Sequence, residues 1–258
     1  MNSVSTELSK RLKKVNKILI SQPEPLRSPY FGFEKKYDLE VNFNQFIHVE
    51  KVSPRFFRKQ RISFIDYSAV VFNSKNSIDF FFSFCDDIRF KMSAQTKYFC
   101  LSQAIANYLQ KFIVYRKRKV FVGERSVLDL KESFLKHKDA EKFLIPCNIT
   151  GSKSIGKFLE ENDFNFKEVQ LYQTVSSDLS ELDVSSYDMI VFFSHLGIES
   201  LFNNFPDFEQ GDIRVAVFGS KTKAAAEEQN LIVDIPVPQP GISSMQTALD
   251  NYLQTTNR

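Results

Sequence analysis

The side chains best placed for chemistry in this 258-residue chain are small hydroxyl and glycine residues at the ends of apolar runs. Twice a short apolar run breaks at a serine and resumes with helical spacing: YSAVVFNSKNSIDFFF from Tyr67 to Phe82, and YDMIVFFSHLGIESLF from Tyr187 to Phe202. In the second, Met189 to Phe193 has the β-branched and aromatic make-up of a strand buried on both faces. Ser194 to Gly197 then reads as the loop at that strand's carboxyl end, and Ile198, Leu201 and Phe202 fall on one helical face. Loops of this kind place helix N-termini, with their unpaired backbone N–H groups, where an open α/β sheet binds ligands, and an anion is the natural guest. The candidate binding residues are Asn73, Ser74 and Lys75 in the first loop and Ser194, His195, Leu196 and Gly197 in the second. Ser74 and Ser194 read either as helix N-caps or as ligand contacts, and their matching positions favour ligand contact.

A second pair follows in each half, TKYFCLSQAIANYL from Thr96 to Leu109 and IRVAVFGSKTKAAA from Ile213 to Ala226. It adds Ser102, Gly219, Ser220, Lys221 and Thr222 to the candidates, Lys221 being the cation best placed to attract an anion. The basic run Arg116 to Lys119 reads as a solvated patch, with anion attraction as the lesser alternative.

Other chemistries find little support. Ser194 lacks a glycine-flanked nucleophile elbow, and His48, His137 and His195 have no metal-ligand spacing, so all three read as surface residues and no metal site is expected. The eight glycines form neither GxGxxG nor GxxxxGK[ST], which argues against dinucleotides and ATP. Cys85, Cys100 and Cys147 are widely spaced and odd in number, as buried thiols in a reducing compartment would be. A net charge of +3 is too small to imply nucleic-acid binding, no apolar run is long enough to span a bilayer, and Met1 to Ile20 is charged throughout. A cytoplasmic protein is expected.

The elements that position these residues can be read in order. Ser3 to Asn16 suggests one or two frayed helical turns, Lys17 to Ser21 a strand, and Pro25 the start of a helix running to about Tyr37. Leu39 to Val49 and Val169 to Val175 alternate apolar and polar residues, like half-exposed strands. Between them lie a Ser53-capped helix from Arg55 to Gln60, strands at Val120 to Val122 and Phe143 to Pro146, and helices from Asp129 to His137 and Gly151 to Glu161. Because the two alternating segments bracket one copy of the repeat, the first strand and helix are expected to belong with the last copy. The expected fold is α/β: two similar parallel-sheet three-layer domains, flavodoxin- or Rossmann-like, with the second inserted into the first through a two-stranded β linker. The expected boundaries are 1–38 with 175–258 for the discontinuous domain, and 39–174 for the inserted one with linker strands 39–49 and 169–175. A site in the cleft between domains is expected from such a linker.

The ordered set ILISQPEP, VVFNSKNSIDFF, VQLYQT, IVFFSHLGIESLF, VAVFGSKTKAAAEEQNL and PGISSMQTAL resembles the uroporphyrinogen-III synthase family over nearly the whole chain. The resemblance implies a monomeric lyase without metal or organic cofactor. Such an enzyme closes the small-molecule octacarboxylate hydroxymethylbilane, with loss of water and inversion of ring D, on the way to haem, sirohaem or corrinoids. Two departures stand out: Ser21-Gln22-Pro23 where the family has threonine-arginine-proline, and Ile105 where it has threonine. These departures leave a catalytically inactive anion-binding protein of the same fold as the alternative. Gly219 and Thr222 keep the family pattern. Against the family's chemistry, Tyr172 is the catalytic candidate, able to donate a proton to the departing hydroxyl. The alternation of VQLYQT puts Tyr172 opposite Val169 and Leu171, on the polar side of its strand, where an ordinary solvated tyrosine would also lie.

Overall fold

The computed structural model describes residues 11–124 and 126–257. The helical turns expected over Ser3 to Asn16 fall outside these residues up to position 10, and residues 11–16 carry no helix. The chain divides into two compact units, residues 1–48 with 175–258, and residues 49–174.

Strands β1 (Lys17–Ile20) and β2 (Glu40–Phe43) open the chain, followed by β3 (Ile47–Lys51), β4 (Ala69–Phe72), β5 (Lys97–Cys100) and β6 (Val120–Val122). Then come β7 (Phe143–Asn148), β8 (Phe166–Ser176), β9 (Met189–Phe192), β10 (Arg214–Phe218) and β11 (Val233–Val237). A five-stranded sheet has the order β11-β10-β9-β1-β2, and its neighbours pair in parallel. A six-stranded sheet has the order β3-β8-β7-β4-β5-β6, parallel from β8 to β6. Along β3 and β8 the pairing runs in opposite senses, since Ser177 N donates to Phe46 O and Val52 N to Leu171 O.

The interleaved helices are α1 (Phe31–Tyr37), α2 (Pro54–Lys59), α3 (Lys75–Asp87), α4 (Gln103–Leu109) and α5 (Lys131–His137). After them come α6 (Lys153–Glu161), α7 (His195–Asn204), α8 (Ser220–Glu228) and α9 (Met245–Thr256). Every residue of β4 and β9 is buried, as an interior parallel strand requires. Alternate residues feed opposite faces. Val70 and Phe72 join a core with Ile78, Phe81 and Leu109 of α3 and α4, while Ala69 and Val71 join Phe134, Ile155 and Leu159 of α5 and α6. In the other unit, Ile18, Met189 and Val191 pack with Phe33 and Leu249, and Leu19, Ile190 and Phe192 with Ile198 and Leu201. Each sheet is thus covered on both faces, a three-layer α/β/α arrangement.

The internal repeat has a spatial meaning. Matching β4 and β5 to β9 and β10 makes the run β6-β5-β4-β7-β8 correspond to β11-β10-β9-β1-β2. One spatial order is therefore reached by two chain connectivities, because β1 and β2 precede their sheet's central strand in sequence whereas β7 and β8 follow theirs.

Several expectations need correction. Leu39 to Val49 is not one linker strand. β2 pairs in parallel with β1 inside the first sheet, and only after residues 44–46 does β3 begin beside β8. The alternation was real but belonged to an edge strand, which shows the same half-exposed pattern as a linker. No helix starts at Pro25: α1 begins at Phe31, after exposed residues 22–27 that have no apolar face to bury. His137 is half-buried, its ring 4.7 Å from that of Phe121. Lys119 is buried rather than solvated, its ammonium donating to Ala94 O and Gln95 Oε1. The three cysteines are free and buried, as expected.

Aromatic packing dominates one face of the six-stranded sheet. Phe99 is fully buried with its ring 4.5 Å from Phe134, 4.8 Å from Phe121 and 5.3 Å from Phe143. Phe99→Ala is expected to cost about 3–5 kcal/mol, read as a lower urea midpoint at unchanged slope. A loss under about 1 kcal/mol would contradict a close-packed face.

Candidate functional site

In the unit formed by residues 1–48 and 175–258, the chain leaves β1 toward one sheet edge and β9 toward the other. The carboxyl ends of these two neighbours therefore frame a topological switch point, where doubly wound sheets bind ligands. At the end of β9, Ser194 has extended backbone and its Oγ accepts from Gly197 N at 3.2 Å, capping α7. A Cβ at Gly197 would lie 3.4 Å from the Phe192 ring and 3.7 Å from both Ser194 Oγ and Ser21 Oγ, at ordinary contact distance. Ser21, at the end of β1, thus lies against the Ser194 turn. His195 and Leu196 occupy the first two positions of α7, His195 exposed and Leu196 half-buried.

At the end of β10, Gly219 precedes α8 with φ +89°, a left-handed conformation that side-chain-bearing residues rarely adopt, and open space lies where its Cβ would be. No side chain caps α8. The first-turn N–H groups of Ser220, Lys221 and Thr222 thus lack a side-chain acceptor, and the exposed Ser220 and Lys221 flank them. Thr222 corrects one expectation. It is 3% exposed, so its side chain faces the core and only its backbone belongs to the turn.

In the unit 49–174 the matching turn follows β4. Ser74 Oγ accepts from Ser77 N at 3.1 Å, and Ser77 Oγ lies 3.3 Å from Ser74 N, a capping box for α3. Lys75 is exposed, its ammonium 5.4 Å from the centre of the Tyr108 ring. The preceding Asn73 has a buried Oδ1 with no partner among the described residues. At the end of β5, Ser102 Oγ caps α4 through Ile105 N at 3.4 Å, and Ile105 is a core residue, 9% exposed, at the position matching Thr222. The third N-terminus is already filled: Glu168 Oε1 accepts from Ser152 N at 3.0 Å before α6, and a Cβ on Gly156 would lie 2.7 Å from the same oxygen.

Tyr172 is not on the polar side of β8. The pairing of β7 with β8 slips between Cys147 and Asn148, so that Cys147 faces Gln170 while Asn148 faces Tyr172. The extra residue, Leu171, breaks the two-residue period, and Val169, Leu171 and Tyr172 all join one core. Tyr172 is 7% exposed, its ring stacks on Phe80 with centres 5.0 Å apart and planes 18° apart, and its Oη lies 3.4 Å from Ser74 Oγ. Burial pushes the phenol above its ordinary pKa of 10, the Ser74 hydrogen bond opposing the shift.

Of the sequence candidates, the fold brings Ser74 and Tyr172 into contact with Asn73 alongside, and sets the Ser194 and Gly219 turns at the ends of neighbouring strands. Ser21, Ser77 and Phe80 were missed. A serine three residues after Ser74 was a visible capping signal, whereas nothing local marks Phe80 as the ring beneath Tyr172. Among the described residues no cluster of His, Cys, Asp and Glu could hold a metal ion, and no helix is long and apolar enough to cross a membrane.

Fold and strand-end turns define a duplicated doubly wound α/β protein. The chain belongs to the uroporphyrinogen-III synthase family, whose model, described as uroporphyrinogen-III synthase HemD, matches residues 39–246. No curated protein matches the sequence. Among solved structures the chain is similar in fold to a uroporphyrinogen-III synthetase from Helicobacter pylori 26695, at 15% identity and TM-score 0.55, with 93% of this chain and 99% of that one covered. A mutant uroporphyrinogen III synthase from the extremely thermophilic bacterium Thermus thermophilus aligns at 13% identity and TM-score 0.48, over 93% and 99% of the two chains.

The buried phenol makes a spectroscopic prediction. The absorbance titration missing from Tyr172→Phe should lie above pH 10, the ordinary tyrosine value. Because the folded pKa is the higher one, the stabilisation linked to this proton is complete below the unfolded pKa and is lost as pH rises through the folded value. A difference titration at or below pH 10 would show a solvated hydroxyl instead.

Proposed function

We propose that this chain is an active uroporphyrinogen-III synthase, closing the linear tetrapyrrole hydroxymethylbilane with inversion of its last ring. The observation that carries the reading is the contact of Tyr172 Oη with Ser74 Oγ, at a capped strand end, in a chain of this family. Loss of the substrate hydroxyl leaves an electrophilic azafulvene. The far pyrrole attacks it at its substituted carbon, and the resulting spiro intermediate fragments and recloses. The unrearranged isomer forms without any enzyme, so the protein's task is chiefly to hold a conformation.

Tyr172 has the properties of a proton donor to the departing hydroxyl. The phenol is protonated at neutral pH, burial making it a weaker acid than a free tyrosine, and Phe80 holds its ring. The 3.4 Å contact with Ser74 is longer than a good O–H···O bond, so the hydroxyl exchanges readily to a substrate oxygen. The proton released from the cyclised pyrrole restores the phenol, which balances the loss of one water. Carboxylates are taken by the N–H groups and hydroxyls of the strand-end turns. These are Asn73, Ser74 and Lys75, Ser102, the stretch from Ser194 through His195 and Leu196 to Gly197, and the uncapped α8 terminus at Gly219 to Thr222. The inactive alternative rests on Gln22, which replaces the arginine of the family pattern, and on Ile105, an aliphatic core residue where its repeat partner carries a hydroxyl. The burial of both Ile105 and Thr222 weakens the second objection, because neither side chain reaches the turn's outer surface.

The direct test is incubation with freshly generated hydroxymethylbilane, then oxidation and chromatographic separation of the type I and type III isomers. Type III product is expected; type I output equal with and without protein would leave only the binding protein.

Variants should grade the contributions. Ser74→Ala and Ser194→Ala each remove one partly exposed donor, worth about 1–2 kcal/mol or roughly tenfold in rate. Tyr172→Phe should exceed both while keeping the fold. Gly219→Val should be worst among the turn changes, since it strains φ +89° and fills the space before α8. Thr222→Val should keep near-normal turnover. Wild-type rates for Tyr172→Phe would remove the phenol from the mechanism.

A further inference from the structure

The two repeats differ most clearly away from the strand carboxyl ends. Residues 101–119 connect β5 to β6, against only 219–232 between β10 and β11. Helix α4 stops at Leu109 after seven residues, about 10 Å of helix, and residues 110–116 run on without helix or strand. This added segment, the C-terminal end of α3 and the amino ends of β5 and β6 enclose a cavity of about 410 Å³.

Its walls are aromatic and apolar: Phe82, Cys85, Phe90, Met92, Tyr98 and Phe112. The Phe82 and Phe112 rings stack on each other with centres 4.9 Å apart and planes 13° apart, which fixes both beside the cavity. At the lip Val114 is 82% exposed, unusual for an aliphatic residue beside a cavity. The charged lining residues are Lys91, Arg116 and Lys119 against Asp86, an excess of positive charge. Lys119 is 8% exposed, and two of its three donors go to Ala94 O and Gln95 Oε1. Among the described residues no carboxylate pairs with Lys119 or Arg116. Burial and the charges of Arg116, Arg118 and Lys97 hold the Lys119 ammonium below its ordinary pKa, a penalty that a bound anion would relieve. Thr96, in the same wall, is 3% exposed and its hydroxyl has no partner among the described residues.

We propose that this cavity is a second binding site, for a small flat aromatic carboxylate whose ring packs against the aromatic and apolar lining and whose carboxylate meets Lys119 and Arg116. The volume suits a small molecule, the aromatic lining favours a π-system, and the excess of cations favours an anion. Binding is non-covalent, because burial raises the Cys85 thiol to a pKa of about 12 and keeps it protonated. The site is separate from the Ser74 turn, since the 13 residues of α3 put about 20 Å between its ends. The proposal stands independently of the catalytic reading.

The test is calorimetric titration of the full chain with 2-naphthoate, and with 2-naphthylmethanol as an uncharged probe of the same shape. The acid should bind at least about tenfold more tightly than the alcohol, a charge-assisted contact's worth. Arg116→Gln, at an exposed position, should weaken the acid several-fold and leave the alcohol unchanged, at unaltered Tm. Phe112→Ala should weaken both probes, and Lys119→Met should abolish the preference for the acid. Absence of binding up to millimolar concentrations, equal affinity for the two probes, or an unchanged acid affinity in Arg116→Gln would each overturn the proposal.

Discussion

Parallel pairing is the constraint on which the structure depends. A parallel strand returns to its sheet only through a crossover, so every crossover helix that leaves a strand starts at the same end of the sheet. Both faces are buried by those helices, and uncommitted backbone donors are left at the strand carboxyl ends. Ser74, Ser102, Ser194 and Gly219 all stand at such ends, and each begins a helix. The four turns are not equivalent. Three are closed by a serine hydroxyl and α8 has no side-chain cap, while a fifth terminus, before α6, is occupied by Glu168. The donors at these strand ends are therefore graded rather than uniform.

The slip between β7 and β8 connects backbone irregularity to chemistry. In regular alternation Tyr172 would share its face with Gln170 and project to the polar side. The inserted residue turns it into the core instead, where Phe80 supports the ring and Ser74 meets the hydroxyl. Burial and a hydrogen bond act oppositely on this phenol, and burial is the larger influence. A solvated tyrosine would retain neither the fixed ring nor the elevated proton affinity.

Duplication explains why the two units could diverge. The same spatial order is built through two connectivities, so each unit's core tolerates a break in the chain at a different place. The segment added between β5 and β6 changes the opposite end of one sheet without touching the serine turns. Distance along α3 separates these two regions.

Much of this was legible in the residues alone. The buried strands at Val70 and Ile190, the serine caps, the repeat and the three buried cysteines follow from local patterns of apolar spacing and capping, which need no distant partner. The assignment of Leu39 to Val49 failed because alternation reports half-burial, and an edge strand and a linker are half-buried alike; only pairing with β1 separates them. Thr222 reads as a ligand hydroxyl from its place in the Gly219 turn and the family pattern, yet the inward face of α8's first turn decides its burial. The side on which Tyr172 lies, the ring of Phe80 beneath it and the charge burial at Lys119 were settled by tertiary structure alone, since each depends on contacts between segments tens of residues apart, whose register no local pattern carries.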